Sequence, residues 1–278
     1  MLHAMRLERS RLAYKERDLV TAILEAEELL EEDPENVGAL EIVADAEIGL
    51  GHGREAVLAL TTLERLQPDA VRVHSGLAVA RFLDLDFEGS VAAADAALAL
   101  MPDLPEALAY RSLSLERLGD WEGSRESELR AAELAPEAFP LPPEHEEVPW
   151  DDVLNEVLSR LPGLFQDFYS RVLLVWHHLP DVGILASIEP PLSPMMLALY
   201  EGAPPPDADP MAILPRSVRL YWGNARRLAS NREYLVDELA EALMIEAADW
   251  MALRPEELEA ELAASEAEQE QNAPEVSA

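Results

Sequence analysis

The 278-residue sequence contains no cysteine. That excludes disulfides, thiolate nucleophiles and cysteine-ligated zinc. It contains a single lysine, Lys15, so nearly all its positive charge is arginine. We read that bias as a property of the genome rather than of function. Positive charge is scarce altogether: 21 Lys and Arg stand against 55 Asp and Glu, for a net charge of -34. Such a chain repels phosphate backbones and anionic membrane surfaces, which argues against nucleic-acid and membrane binding. A basic protein or peptide is the electrostatically easier partner, and solubility is the plainest use of the charge. Long apolar runs are missing too. The stretch MLHAMRLERSRLAYKERD has no apolar core of signal-peptide length, and no segment approaches a membrane span. The expectation is a soluble, cytoplasmic protein.

What is present is ample apolar content, 49% of residues, in a length suited to one large or two ordinary domains. The clearest pattern comes from proline. Pro34, Pro68, Pro102 and Pro136 are spaced 34 residues apart, in the contexts EEDPEN, RLQPDA, ALMPDL and ELAPEA. Twelve residues before each stands a small residue: Ala22, Ala56, Ser90 and Ser124. Twenty-four before each is a second small series: Ser10, Ala44, Ala78 and Ser112. Leu66, Leu100 and Leu134 each precede their proline by two.

Three registers at one period describe helix hairpins. Small residues let antiparallel helices approach closely. Proline ends the second helix and restricts the residue before it. Gly51 and Gly119 suit the turn inside a hairpin. A single hairpin cannot bury its own face, so the units must stack.

This pattern resembles the tetratricopeptide repeat family over roughly residues 3 to 136, about four units. The first unit is the least regular, with Arg6 and Arg9 where later units carry Leu40, Val43 and Leu77, and it reads as a polar cap. The resemblance implies a groove that binds a peptide or partner protein. By repeat register its inner face includes Glu41, Asp45, Ser75, Val79, Ala109 and Leu113. None is Lys or Asn, so the carboxylate clamp of some members is not expected. Plain scaffolding is an equal alternative.

Residues 137–148, EAFPLPPEHEEV, read as an extended Pro/Glu linker. His145 with Glu146 and Glu147 is a metal-like cluster whose simpler reading is a solvated charge run. PWDDVLNEVLSRLPGLFQDFYS then predicts an amphipathic helix begun by Pro149, with Val153, Val157 and Leu161 on one face. RVLLVW, LALYEG and SVRLYW predict three strands at 171–176, 197–202 and 217–222. Ser230 and Glu233 form an S-x-x-E capping box for a final helix. That order gives a small α+β domain over 149–263. The tail 264–278, ASEAEQEQNAPEVSA, carries no basic residue and is expected to be disordered. A short helix is expected from Pro255.

The arrangement VPWDDVLNEVLSRLPG, strand, LALYEG, strand, then a helix bearing YLVDELAEAL resembles the minimal zincin-like metallopeptidase family, of gluzincin type, over about 148–262. The family's pattern runs from L-G-L-Y-E-G to H-E-I-A-H-H-F-G. Carried over by position, the resemblance places the first metal ligand at Asp237, the catalytic glutamate at Glu238 and the second ligand at Glu241. Ala242 and Met244 stand at the extra His and the Gly, and the downstream acidic ligand falls near Glu246.

These departures weigh on the chemistry. Tetrahedral hydrolytic zinc sites usually contain His, and none of the six His lies on this helix. Two helix carboxylates are too few for calcium or magnesium. In a straight helix Glu246 lies on the opposite side from Asp237, and Met244 favours continuation where glycine would permit a turn. The plain alternative for the acids is a solvated face beside a buried stripe of Leu235, Val236, Leu239, Ala240, Leu243 and Met251. His177 and His178 could offer a nitrogen, but adjacent strand residues face opposite sides. Tyr200 and Glu201 line the family's cleft or serve as a core tyrosine and a turn acid.

The sequence thus predicts a mainly α protein: an α-solenoid of hairpins, then a zincin-like α+β domain with a degenerate motif. The leading expectation is a non-enzymatic interaction or scaffold protein, with no cofactor. The alternative is a metal-dependent peptidase using Glu238 as general base, with zinc or another divalent ion. A third reading is a self-associating assembler.

Overall fold

The computed structural model describes residues 2–142, 148–202, 214–228, 231–260 and 262–263. Residues 143–147 of the expected 137–148 linker, with His145, Glu146 and Glu147, lie outside them, as do the tail from 264 and Ser230. The chain divides into two compact units. One holds Met1–Leu141 with Asp181–Pro194; the other holds Pro142–Pro180 with Met195–Ala278. The segment 181–194 therefore groups with the repeats, although the sequence places it inside the contiguous 149–263 domain.

The first unit is four antiparallel hairpins: α1 (Leu2–Lys15) with α2 (Leu19–Glu32), α3 (Val37–Leu50) with α4 (Gly53–Leu66), α5 (Val71–Leu83) with α6 (Phe87–Leu100), and α7 (Pro105–Leu118) with α8 (Trp121–Leu134). Each helix packs on the next, and the first helices of successive hairpins also touch one another. The two small-residue registers meet inside each hairpin and are all buried. The Ser10 hydroxyl donates to the Ala22 carbonyl at 2.8 Å, and that of Ser90 to the Ala78 carbonyl at 2.7 Å. Ser112 and Ser124 bond through their hydroxyls at 3.1 Å. A small side chain here both permits close approach and satisfies its own polar group.

Each repeat proline stands two residues past the end of a second helix. The residue before it is driven out of the helical region, as proline's ring requires. Asp33, Gln67, Met101 and Ala135 have φ of -137°, -138°, -137° and -145°. The turn inside each hairpin is also periodic. Arg17, Gly51, Leu85 and Gly119 have φ of 65°, 80°, 65° and 81°. Glycine marks only two of these left-handed positions, so the sequence shows only half of the series. One residue later stands the N-cap of the second helix. Asp18, Asp86 and Asp120 each accept a backbone N–H there, whereas His52 makes no side-chain cap.

The second unit starts with α9 (Trp150–Arg160) and α10 (Gly163–Ser170). The sequence predicts one helix across both. Pro162 breaks it, because Leu161 before the ring is extended at φ -69°, ψ 149°. Next come β1 (Leu173–His177), α11 (Val182–Leu185, within the first unit), β2 (Ala198–Tyr200), β3 (Ser217–Tyr221), α12 (Trp222–Ala225) and α13 (Arg232–Trp250). All three predicted strands form, shorter by up to three residues or shifted by one or two. Their sheet order is β1-β3-β2, with β1/β3 parallel and β2/β3 antiparallel. Central β3 buries Val218, Leu220 and Tyr221. Trp150, Val153 and Val157 of α9, Phe165 and Phe168 of α10, and Leu235, Val236, Leu239 and Leu243 of α13 complete that core. The chain is helical again at 255–260, where Pro255 predicts it.

Candidate functional site

The candidate centre lies on α13. Its N-cap is Asn231, whose side chain accepts the Tyr234 N–H at 2.9 Å. This displaces the predicted Ser230 cap by one residue. From there α13 runs without a break through Met244 to Trp250, burying Leu235, Val236, Leu239, Leu243, Ala247, Ala248 and Trp250. Ala240, expected in the stripe, is half-buried, and Met251 is buried.

The acids of YLVDELAEAL stand on the outer side of that stripe. Asp237 is 59% exposed at its side chain and forms an ion pair with Arg160 at the end of α9. Arg160 also contacts Glu156 at 2.6 Å, and Glu156 contacts Arg232 at 3.1 Å. Hydrogen bonds from Arg232 and Arg160 lower the Glu156 carboxyl pKa. The position aligned with a first metal ligand is therefore one end of an arginine–carboxylate chain that ties α9 to α13. Glu238 is half-buried and accepts a hydrogen bond from Tyr234 one turn earlier, which raises the phenol's pKa. Glu241 is exposed.

Glu246 keeps solvent contact, yet partial loss of water raises its carboxyl pKa, and Asp249 adds repulsion. It lies close enough to Tyr169 and Tyr200 to push both phenols upward, on top of the larger effect of their burial. These two tyrosines share a hydrogen bond, and the Tyr169 hydroxyl donates to the Leu243 carbonyl at 2.7 Å. Tyr200 also stacks on Trp250, with centroids 5.8 Å apart. Tyr200 thus serves as a core tyrosine that fastens β2 to α13. Glu201, its neighbour in LYEG, pairs with Arg219 and accepts from the Ser217 hydroxyl at 2.6 Å; the Ser217 and Arg219 contacts lower its pKa. Its carboxylate is committed to the sheet.

His177 ends β1 opposite Tyr221, with ring centroids 6.4 Å apart. The His178 ring lies 4.2 Å from Trp222, and its carbonyl accepts the Gly223 N–H at 2.9 Å. Among the described residues no three His, Asp or Glu side chains are grouped to hold a metal ion. The donor set on α13 does not fit tetrahedral zinc: it offers carboxylates only, and one of them is ion-paired.

On the repeat unit, the register-predicted inner face divides. Ser75 and Val79 are buried, while Glu41, Asp45, Ala109 and Leu113 are half-buried. Asp45 pairs with Arg72, which also lies 3.8 Å from Glu41. The Ser75 hydroxyl donates to Glu106 at 2.6 Å. Desolvation raises the Asp45 pKa and Arg72 opposes it, with Glu41 and Glu106 adding repulsion. The inner-face register contains neither Arg72 nor Glu106, so the repeat spacing does not mark them.

Solved structures resembling the chain include the crystal structure of MamA protein, at 18% identity, 49% of this chain, 74% of that one and a TM-score of 0.46. MamA 41-end from Desulfovibrio magneticus RS-1 follows at 17% identity, 48% and 75% coverage and a TM-score of 0.46. Similarity at this level carries no function. No curated protein matches the chain. The family model described as zincin-like metallopeptidase matches residues 169–264, which leaves α9 outside. The chain thus combines four stacked 34-residue helix hairpins with a region, residues 169–264, that matches the zincin-like metallopeptidase family model.

Proposed function

We propose that this is a cytoplasmic interaction or scaffold protein whose zincin-like domain has exchanged hydrolysis for structure. The Asp237–Arg160 ion pair carries the reading. A carboxylate held by a guanidinium is a poor cation ligand, because a metal must compete with a charge-assisted hydrogen bond. Glu241 on the exposed face and the unbroken helix past Met244 support the same view.

The repeat array supplies the interaction surface. Its Glu41 and Asp45 carboxylates pair with Arg72, Glu106 adds negative charge near Asp45, and the chain's net charge is -34. A basic protein or peptide suits that field; nucleic acid and anionic membranes do not. No resident cofactor is required.

Elemental analysis of the full chain after dialysis against zinc tests the proposal. The expected result is well below one zinc per chain. Stoichiometric zinc, or hydrolysis of a peptide library with Zn, Mn or Co that Glu238→Gln abolishes, would replace this reading with a peptidase.

A further inference from the structure

The first hairpin departs from the repeat where the other three bury most. Residues 34 apart share one place in the unit. Met5 is 58% exposed, while its equivalents Ala39, Val73 and Ala107 are at 0%, 4% and 0%. Leu12 is 56% exposed, while Ala46 and Ala80 are at 0% and 0%, and Ser114 is also buried at 0%. In the later units the first helix packs against the second helix of the hairpin before it. α1, the first described element, turns this same stacking face to solvent. Arg6 caps part of the hairpin by pairing with Glu28 and Glu32, but Met5 and Leu12 remain apolar and open.

Residues 5, 8, 9 and 12 lie on one side of a helix. Glu8 and Arg9 therefore stand between the two apolar side chains, and both are exposed, at 72% and 58%. The order apolar, acid, base, apolar is its own complement when reversed. Two α1 helices laid antiparallel would set Met5 opposite Leu12 and Glu8 opposite Arg9, twice over. We infer that α1 is an isologous docking surface for a second copy of this chain, centred between Glu8 and Arg9.

The mixed signs favour this occupant. A strongly basic partner would meet Arg9 and Arg11, and a strongly acidic one would meet Glu8. In the single chain Glu8 contacts Arg11 at 3.0 Å and Arg9 contacts Glu25 at 3.3 Å. Exposed pairs of this kind contribute little, so they yield readily or become shared across the contact. Opposed charges at a small interface set orientation and partner choice more than affinity. Two paired helices bury less than a standard interface, so a weak, concentration-dependent dimer is expected. The inference is independent of the zincin-like domain's chemistry and of any basic partner.

Sedimentation velocity of the full chain over a concentration series tests it. A monomer–dimer equilibrium should appear. Glu8→Arg and Arg9→Glu each place like charges together and should weaken it about tenfold or more. The double variant restores opposite signs and should recover most of the loss. Leu12→Ser should also weaken it, and circular dichroism checks that each exposed-site variant folds. A monomer at every concentration, a dimer indifferent to Leu12→Ser, or a charge swap without recovery would each overturn the antiparallel pairing.

Discussion

At the residue scale, each acid on α13 has its own environment. Asp237 gains a guanidinium, Glu238 a phenol, and Glu246 loses water. That loss raises the carboxyl pKa of Glu246. A raised folded pKa means that folding favours the protonated acid. Its penalty is absent below the ordinary value of 4.5, grows as pH rises through the folded pKa, and is complete above it. Glu246→Gln should therefore raise the free energy of unfolding at neutral pH by roughly a few tenths of a kcal/mol, discounted for solvent screening. The gain should vanish near pH 4 or below (about the ordinary range of the group). A loss at neutral pH would show that the carboxylate itself is stabilising. The identity of the α13 acids was legible in YLVDELAEAL, since replacement of imidazole needs no coordinates to see. Their partners were not. Arg160 lies 77 residues from Asp237, and no local pattern links them. The Tyr169–Tyr200–Leu243 contact joins three separate elements and is equally silent in the sequence.

At the scale of elements, the hairpins follow from spacing alone. The small residues and prolines placed all four, because each acts through its own backbone or through close approach. The turns were only half legible. Glycine advertises a left-handed residue at 51 and 119, whereas Arg17 and Leu85 adopt that conformation because the flanking helices impose it. A side chain there costs about 1–2 kcal/mol in principle. Arg17 is exposed, so Arg17→Gly should stabilise the chain by up to about 1 kcal/mol in chemical denaturation. Gly51→Ala should destabilise it by a similar amount, although a Cβ at Gly51 meets nothing within 4 Å. No change in either variant would mean that these turns carry no backbone strain. In the second unit the strands were placed to within a few residues. The helix break at Pro162 is hidden in the sequence because apolar periodicity runs on through it, while the proline acts on Leu161 alone.

For the molecule as a whole, charge dominates. With a net charge of -34, mutual repulsion opposes compaction at low ionic strength. Raising salt from about 10 mM to about 150 mM shortens the screening length from roughly 30 Å to roughly 8 Å. The thermal midpoint should therefore rise. A fall would show that the many Arg–carboxylate pairs outweigh the general repulsion. The assignment of 181–194 to the repeat unit could not be read from sequence. It rests on contacts such as Arg54 with Glu189 at 2.5 Å, made across 135 residues of chain.

The four residues that precede the repeat prolines share almost one backbone conformation. The three junctions between hairpins, at Asp33, Gln67 and Met101, therefore open with the same bend, and Ala135 repeats it after the last hairpin. A gene segment encoding one such module can be excised or duplicated, and the chain on either side meets a joint of unchanged shape. The number of hairpins is in that sense adjustable without redesigning any of them.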